Sequence, residues 1–254
     1  MNSPLVVGNW KMHGGPQACE ELARQIVNSI GDQAQPSDIA LAPPFTSLAT
    51  VKKVLEKSPA KLAAQNCHWE DNGAFTGEVS PSMLTEIGCE FIIVGHSERR
   101  RLFCENDEMI GQKVAAVIRH GVRPILCVGE TIEERKAEQT SAVIARQLDS
   151  ALKGVAEDAI DKLEIAYEPV WAIGTGLNAS DEQINETHSQ IRSFLIDRFN
   201  KGKGAQTRIL YGGSVKPENA DMIARIESVN GVLVGGASLS ADSFLAIIRA
   251  FSKK

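Results

Sequence analysis

The sequence predicts an α/β fold: a single-domain, eight-stranded parallel (β/α)8 barrel. Three observations carry this. Short apolar runs recur along the whole chain, bounded by Gly, Pro or polar residues. Segments of helical period lie between them. The 254 residues suit eight strand-helix units of roughly 30 residues each.

The predicted strands are Leu5–Val7, Ile39–Ala42, Leu62–Ala64, Phe91–Val94, Pro124–Val128, Glu164–Tyr167, Arg208–Tyr211 and Gly231–Val234. They are near-continuously apolar, as a parallel sheet buried on both faces requires. Helical period is clearest over Glu20–Ile30, Thr46–Glu56, Glu108–Arg119, Ser141–Leu152, Asp181–Phe199 and Ala241–Phe251. An open doubly wound sheet is the alternative. It favours a GxGxxG turn after the first strand, and none is present. No linker or composition shift marks a second domain. Asp71–Ser82 (DNGAFTGEVSPS) is irregular and follows the third strand, with Phe75 and Thr76 near its tip. It reads either as a surface loop or as an arm that docks into another subunit.

Apolar residues make up 43% and charged residues 23%, so a large core needs no extra staples. The five cysteines are odd in number and form no CxxC pair. That predicts reduced thiols in a cytoplasmic protein, with no disulfide framework and no metal site. No secretory leader and no membrane-spanning run is visible. The net charge of −5 argues against nucleic acid as a partner. It also means that any anionic ligand needs positive potential built locally.

In such a barrel the strand ends and the loops after them hold the active site. Gly212-Gly213 and Gly235-Gly236 end consecutive strands. Each lets backbone N–H groups approach a ligand and cradle an anion. A tight turn explains either pair alone; together, after the seventh and eighth strands, they point to a phosphate. Glu168 ends the sixth strand beside apolar Val170, Trp171 and Ile173. Such surroundings raise a carboxyl pKa and suit it to act as a base. His96 ends the fourth strand, where Ser97 is placed to cap a helix. A helix N-terminus lowers an imidazole pKa and keeps it neutral. Lys11 supplies a cation next to Asn9. Alone, each of these is more often structural than catalytic; their common place at strand ends is what singles them out. His68, His120 and His188 read as structural.

The strings GNWKMHG, VGHSERR, AYEPVWAIGTG, YGGSV and LVGGAS resemble, in order, the signature segments of the triosephosphate isomerase family. The resemblance covers essentially the whole chain. It implies an aldose-ketose isomerase of glycolysis and gluconeogenesis that acts on a small phosphorylated substrate without a cofactor. By resemblance, Glu168 moves the proton, His96 donates to the substrate oxygens, and Asn9 and Lys11 bind substrate. Glu98 pairs with Lys11. Backbone N–H groups of Gly174, Ser214, Gly235 and Gly236 hold the phosphate. Pro169–Ala179 resembles a closing lid, with Pro169 as hinge, Gly174 and Gly176 at the tip, and Tyr211 and Ser214 as latch near Ala179 and Gly174. Ser180-x-x-Gln183 reads as a capping box that anchors its far end. The arm resembles the family's interdigitating loop, with Gln65 at its base and Thr76 reaching a neighbouring subunit, which implies a homodimer.

One departure is His13, where the family usually has Asn. It lies beside Lys11 and, by resemblance, near the docked arm. Two other readings share part of this pattern. Another phosphate-binding barrel enzyme shares the glycine turns but not the His96 and Glu168 pair with this lid. A catalytically silent relative predicts loss of Lys11, His96 or Glu168, and all three are present.

Overall fold

A computed structural model describes residues 3–31, 36–174 and 178–254. Eight parallel strands close into one barrel in sequence order: β1 (Leu5–Asn9), β2 (Asp38–Ala42), β3 (Lys61–Ala64), β4 (Phe91–Val94), β5 (Arg123–Val128), β6 (Glu164–Tyr167), β7 (Arg208–Tyr211) and β8 (Gly231–Val234). β8 returns to β1 through the register Leu5↔Gly231 to Gly8↔Val234. The helices are α1 (Pro16–Ile30), α2 (Leu48–Leu55), α3 (Pro81–Ile87), α4 (Ser97–Leu102), α5 (Asp107–Arg119), α6 (Ile132–Lys136), α7 (Thr140–Leu152), α8 (Asp181–Phe199), α9 (Lys201–Gly204), α10 (Pro217–Arg225) and α11 (Ala241–Phe251). The predicted arm ends sooner than the sequence suggests. Ser80 caps α3 by accepting from the Met83 N–H at 3.3 Å, and Pro81 takes the first helical position.

Alternation along each strand splits the core into two layers. Leu5, Val7, Phe91, Ile93, Ile125, Cys127 and Leu210 fill the barrel's interior. Val6, Ile92, Leu126, Ile165 and Ile209 point outward into the helical shell. The N-terminal mouth is sealed by ions instead. Glu164 is fully buried and accepts from Arg208 Nε at 3.0 Å and Nη2 at 2.9 Å, and also from Arg123. Arg208 Nη1 donates to Asp38 at 2.7 Å. Burial alone pushes the Arg208 pKa down, but hydrogen bonds to Glu164 and Asp38 leave it raised. This network ties β2, β5, β6 and β7 together.

Among the described residues no helix is long and apolar enough to cross a membrane. Cys19, Cys67, Cys89 and Cys127 are buried free thiols, and Cys104 is an exposed one.

His188 on α8 lies behind the barrel with no exposure, edge-on to Tyr167 at 5.9 Å between ring centroids. Its Nδ1 meets the Ser228 carbonyl at 3.2 Å. Burial lowers its pKa from 6.5 to about 4. The folded state therefore binds this proton less readily than the unfolded chain, and stability is lost as pH falls from 6.5 to about 4. We predict that His188 contributes about 3 kcal/mol to the acid-side loss of stability across that window. Urea midpoints for wild type and His188→Gln check this; an equally steep decline in the variant contradicts it.

Candidate active site

The C-terminal mouth of the barrel opens into a cavity of about 580 Å³. Asn9, Lys11, His96, Glu168, Gly235 and Gly236, read from strand ends, all line it, as do Glu98, Gly174 and Ser214, which the resemblance implied. At the opposite mouth, a cavity of about 320 Å³ is lined by the Glu164, Arg208 and Asp38 network. Glu164, Arg208 and Asp38 there are paired with one another.

Glu168 follows β6 at once, and only glycine neighbours admit it. A Cβ at Gly129, after β5, would stand 1.7 Å from the Glu168 carbonyl oxygen. A Cβ at Gly212, after β7, would stand 3.0 Å from Glu168 Cγ. One at Gly213 would meet the Tyr211 hydroxyl at 2.2 Å and the Pro169 ring at 3.0 Å. The first glycine pair thus makes room for the glutamate and its hinge, a role the anion-cradle reading did not include.

The Glu168 carboxylate reaches across to the end of β4. Oε2 accepts from the Ser97 N–H at 2.8 Å, and Oε1 lies 2.9 Å from His96 Nε2. The cap of α4 is His96, not Ser97 as the sequence suggested. Its Nδ1 accepts from the Glu98 N–H at 3.3 Å. That bond makes Nδ1 the acceptor and leaves Nε2–H facing the cavity.

Both expected pKa directions are corrected. Burial does push the Glu168 carboxyl up, but His96 and the Ser97 N–H outweigh it and hold the group below the ordinary value. Burial pushes His96 down, yet the adjacent Glu168 charge leaves it raised. The cause of both is the direct contact of the two groups, made across strands far apart in sequence.

Lys11 sits at φ +50°, in the left-handed region. Its N–H donates to Asn9 Oδ1 at 3.0 Å, and its ammonium pairs with Glu98 at 2.6 Å. A Cβ at Gly235 would lie 3.3 Å from Lys11 Cε, so glycine leaves this chain its path. Gln65 turns inward: its amide donates to the carbonyls of Lys11 and Ala42, both at 2.8 Å. It fastens the strained turn, a contact its place at the arm's base did not suggest.

The lid's first turn hangs on Glu130, a residue with no role in the sequence reading. Its buried carboxylate accepts from Tyr167 Oη (3.1 Å), Trp171 Nε1 (2.9 Å) and Arg135 Nη1 (2.9 Å). The Arg135 guanidinium lies over the Trp171 ring at 4.9 Å. A glutamate two residues past β5 and five before an arginine was the local signal. At the far end the Ser180 and Gln183 capping box forms. Tyr211 is buried, which raises its pKa to about 12 against a hydrogen bond from the Ala179 backbone to its hydroxyl. Gly174 has φ +70°. Gly176 lies outside the described residues.

His13, Phe75 and Thr76 lie outside the cavity and are exposed. The arm is closed by the His68 N–H bond to the Val79 carbonyl, and Phe75 stacks on His68. Arg119 and His120 both meet Asp71 at 2.7 Å at its base. Among the described residues no group of three or more His, Cys, Asp or Glu side chains is placed to hold a metal.

The profile of the family described as triosephosphate isomerase matches residues 4–251. The chain belongs to the triosephosphate isomerase family. A triosephosphate isomerase of Syntrophotalea carbinolica is 49% identical over 98% of each chain. One from Alkaliphilus metalliredigens is 48% identical over 98% of this chain and 99% of its own. One from Aquifex aeolicus is 49% identical over 97% and 99%. Membership makes the protein an isomerase built on a TIM barrel.

Proposed function

We propose that this site interconverts dihydroxyacetone phosphate and D-glyceraldehyde 3-phosphate through an enediolate, in glycolysis and gluconeogenesis, in the cytoplasm and with no cofactor or metal. The observation that carries this is one ionised carboxylate and one imidazole N–H, 2.9 Å apart, opening on a cavity with a lysine. Isomerising a hydroxy ketone needs one proton removed beside a carbonyl and one returned to the next carbon. The Glu168 carboxylate takes the proton from C1 and returns it at C2. As it is neutralised, negative charge develops on the substrate oxygen. His96 Nε2–H and the Lys11 ammonium stabilise that charge, with Asn9 beside them. Glu98 positions Lys11. Backbone N–H groups of Gly174, Ser214, Gly235 and Gly236 hold the phosphate, whose binding energy positions the reacting carbons.

To reach a carbon, the carboxylate must first leave the Ser97 N–H. Pro169 follows it directly, so a lid hinged there moves the base as it closes. Gly174 and Gly176 let the tip rearrange; Tyr211 and Ser214 latch it near Ala179 and Gly174. Closure excludes water and strengthens the electrostatics inside. Departure of Glu168 also removes the main influence raising the His96 pKa. Burial and the start of α4 then leave a neutral imidazole donor facing the substrate.

The protein acts as a homodimer. Among the described residues, Met12, Phe45, Phe75, Met83, Leu102 and Phe103 are the exposed large apolar side chains. All follow β1 to β4, four neighbouring strands, and so share one flank. A patch on one flank fits an isologous contact with a second copy, to which His13, Gln65, Phe75 and Thr76 contribute.

Glu168→Gln keeps the size and the contact with Ser97 but removes the base. A coupled assay on dihydroxyacetone phosphate is expected to show kcat lower by about 10²- to 10⁴-fold. An inactive wild type, or a fully active variant, refutes the reading. Sedimentation is expected to give a dimer; a monomer sinks that part of the reading.

A further inference from the structure

The whole chain carries a charge of −5, yet the proposed substrate is a phosphate dianion. Within the cavity most charges are already committed. Lys11 pairs with Glu98 at 2.6 Å, and Glu168 is held by His96 and Ser97. Two further cations line the same cavity, Arg101 and Lys216. Both are exposed, and among the described residues neither has an ion-pair partner.

Their neighbours make the contrast. Arg99, Arg100 and Arg101 are consecutive on α4. Arg99 binds Glu105 at 2.5 Å and Arg100 binds Asp107 at 2.6 Å. The third alone is left facing the cavity. Lys216 is odder still, because it occupies the N-cap of α10. That position favours Ser, Thr, Asp or Asn, whose oxygen accepts from the helix's first N–H groups. An ammonium has no acceptor to offer, and it sits at the positive end of the helix dipole. The local structure is held from the other side, by the Lys216 N–H donating to Asn219 Oδ1 at 2.8 Å. As a cap this lysine is a poor choice. As a cation it stands two residues past Ser214, at the turn proposed to hold the phosphate.

We propose that Arg101 and Lys216, set on the β4 and β7 sides of the mouth, form a cationic rim that captures the substrate's phosphate and steers it into the site. This rests on the triose phosphate reading above. The rim acts on encounter, not on the proton transfer, so its loss appears in kcat/KM and in salt dependence. The low-dielectric walls of the cavity focus the field of the rim where the chain's net charge would otherwise repel the substrate.

The test uses Arg101→Gln, Lys216→Ser and the double variant. kcat/KM for D-glyceraldehyde 3-phosphate is measured from low to about 0.15 M ionic strength, with D-glyceraldehyde, which lacks the phosphate, as the uncharged control. The double variant is expected to lose about tenfold in kcat/KM at low salt. Its salt dependence should be flatter than that of wild type, and kcat/KM for D-glyceraldehyde should not change. A salt slope does not depend on the fraction of enzyme folded, so reduced stability cannot imitate the result. An active double variant with the wild-type slope overturns the rim. So does an equal loss on both sugars, which would mean a part in the chemistry or in its geometry. A wild type inactive on both sugars instead overturns the triose phosphate reading, and is thereby told apart.

Discussion

The contact between Glu168 at the end of β6 and the start of α4 after β4 organises the mouth of this barrel. One carboxylate oxygen takes the Ser97 N–H at 2.8 Å and the other meets His96 Nε2 at 2.9 Å. A buried carboxylate left unpaired would cost several kcal/mol, so the surroundings are shaped to supply these partners. Gly129 and Gly212 clear space for the glutamate on the two flanking strands. The Glu98 N–H fixes the imidazole tautomer from behind. Glu130 grips Trp171, so the lid begins from a fixed point beside the base. The same bonds that stabilise the open site must be exchanged when substrate arrives. Resting stability and catalytic motion therefore share one group of atoms.

The two mouths of the barrel handle buried charge in opposite ways. At the N-terminal mouth Glu164, Arg208 and Asp38 satisfy one another. At the C-terminal mouth charge is left over: Lys11 is held by a half-exposed glutamate, and Arg101 and Lys216 have no partner among the described residues. An N-cap lysine runs against the preferences of its helix. Departures of this kind gather where function outweighs local stability.

The barrel was legible because strand burial leaves a plain trace. β4, β6, β7 and β8 begin and end where the apolar runs do, and the other strands extend only a residue or two further. The short helices α3, α6 and α9 are too brief to show a helical period and escaped notice, whereas α4 was read from its start after β4. The cavity residues were legible as strand ends. What was hidden depends on distant partners. Gln65 looked like the arm's base, yet it fastens Lys11. Glu130 carried no visible role until Tyr167, Trp171 and Arg135 converged on it. The pKa directions of Glu168 and His96 came out reversed because each was read from its own neighbours along the chain. Glu168 lies 71 residues along the chain from Ser97, its nearer partner, and no local pattern reports either contact.

The exchange of Glu168 between His96 and the substrate is the centre of this account. It is tested most directly by following the His96 ring nitrogens by ¹⁵N NMR against pH. The titration is run on free enzyme and on its complex with an unreactive phosphorylated analogue of the enediolate. A raised His96 pKa is expected in the free enzyme. In the complex the ring should stay neutral into acid, with the proton on Nε2. An imidazolium in the complex, or the same titration in both states, would contradict it.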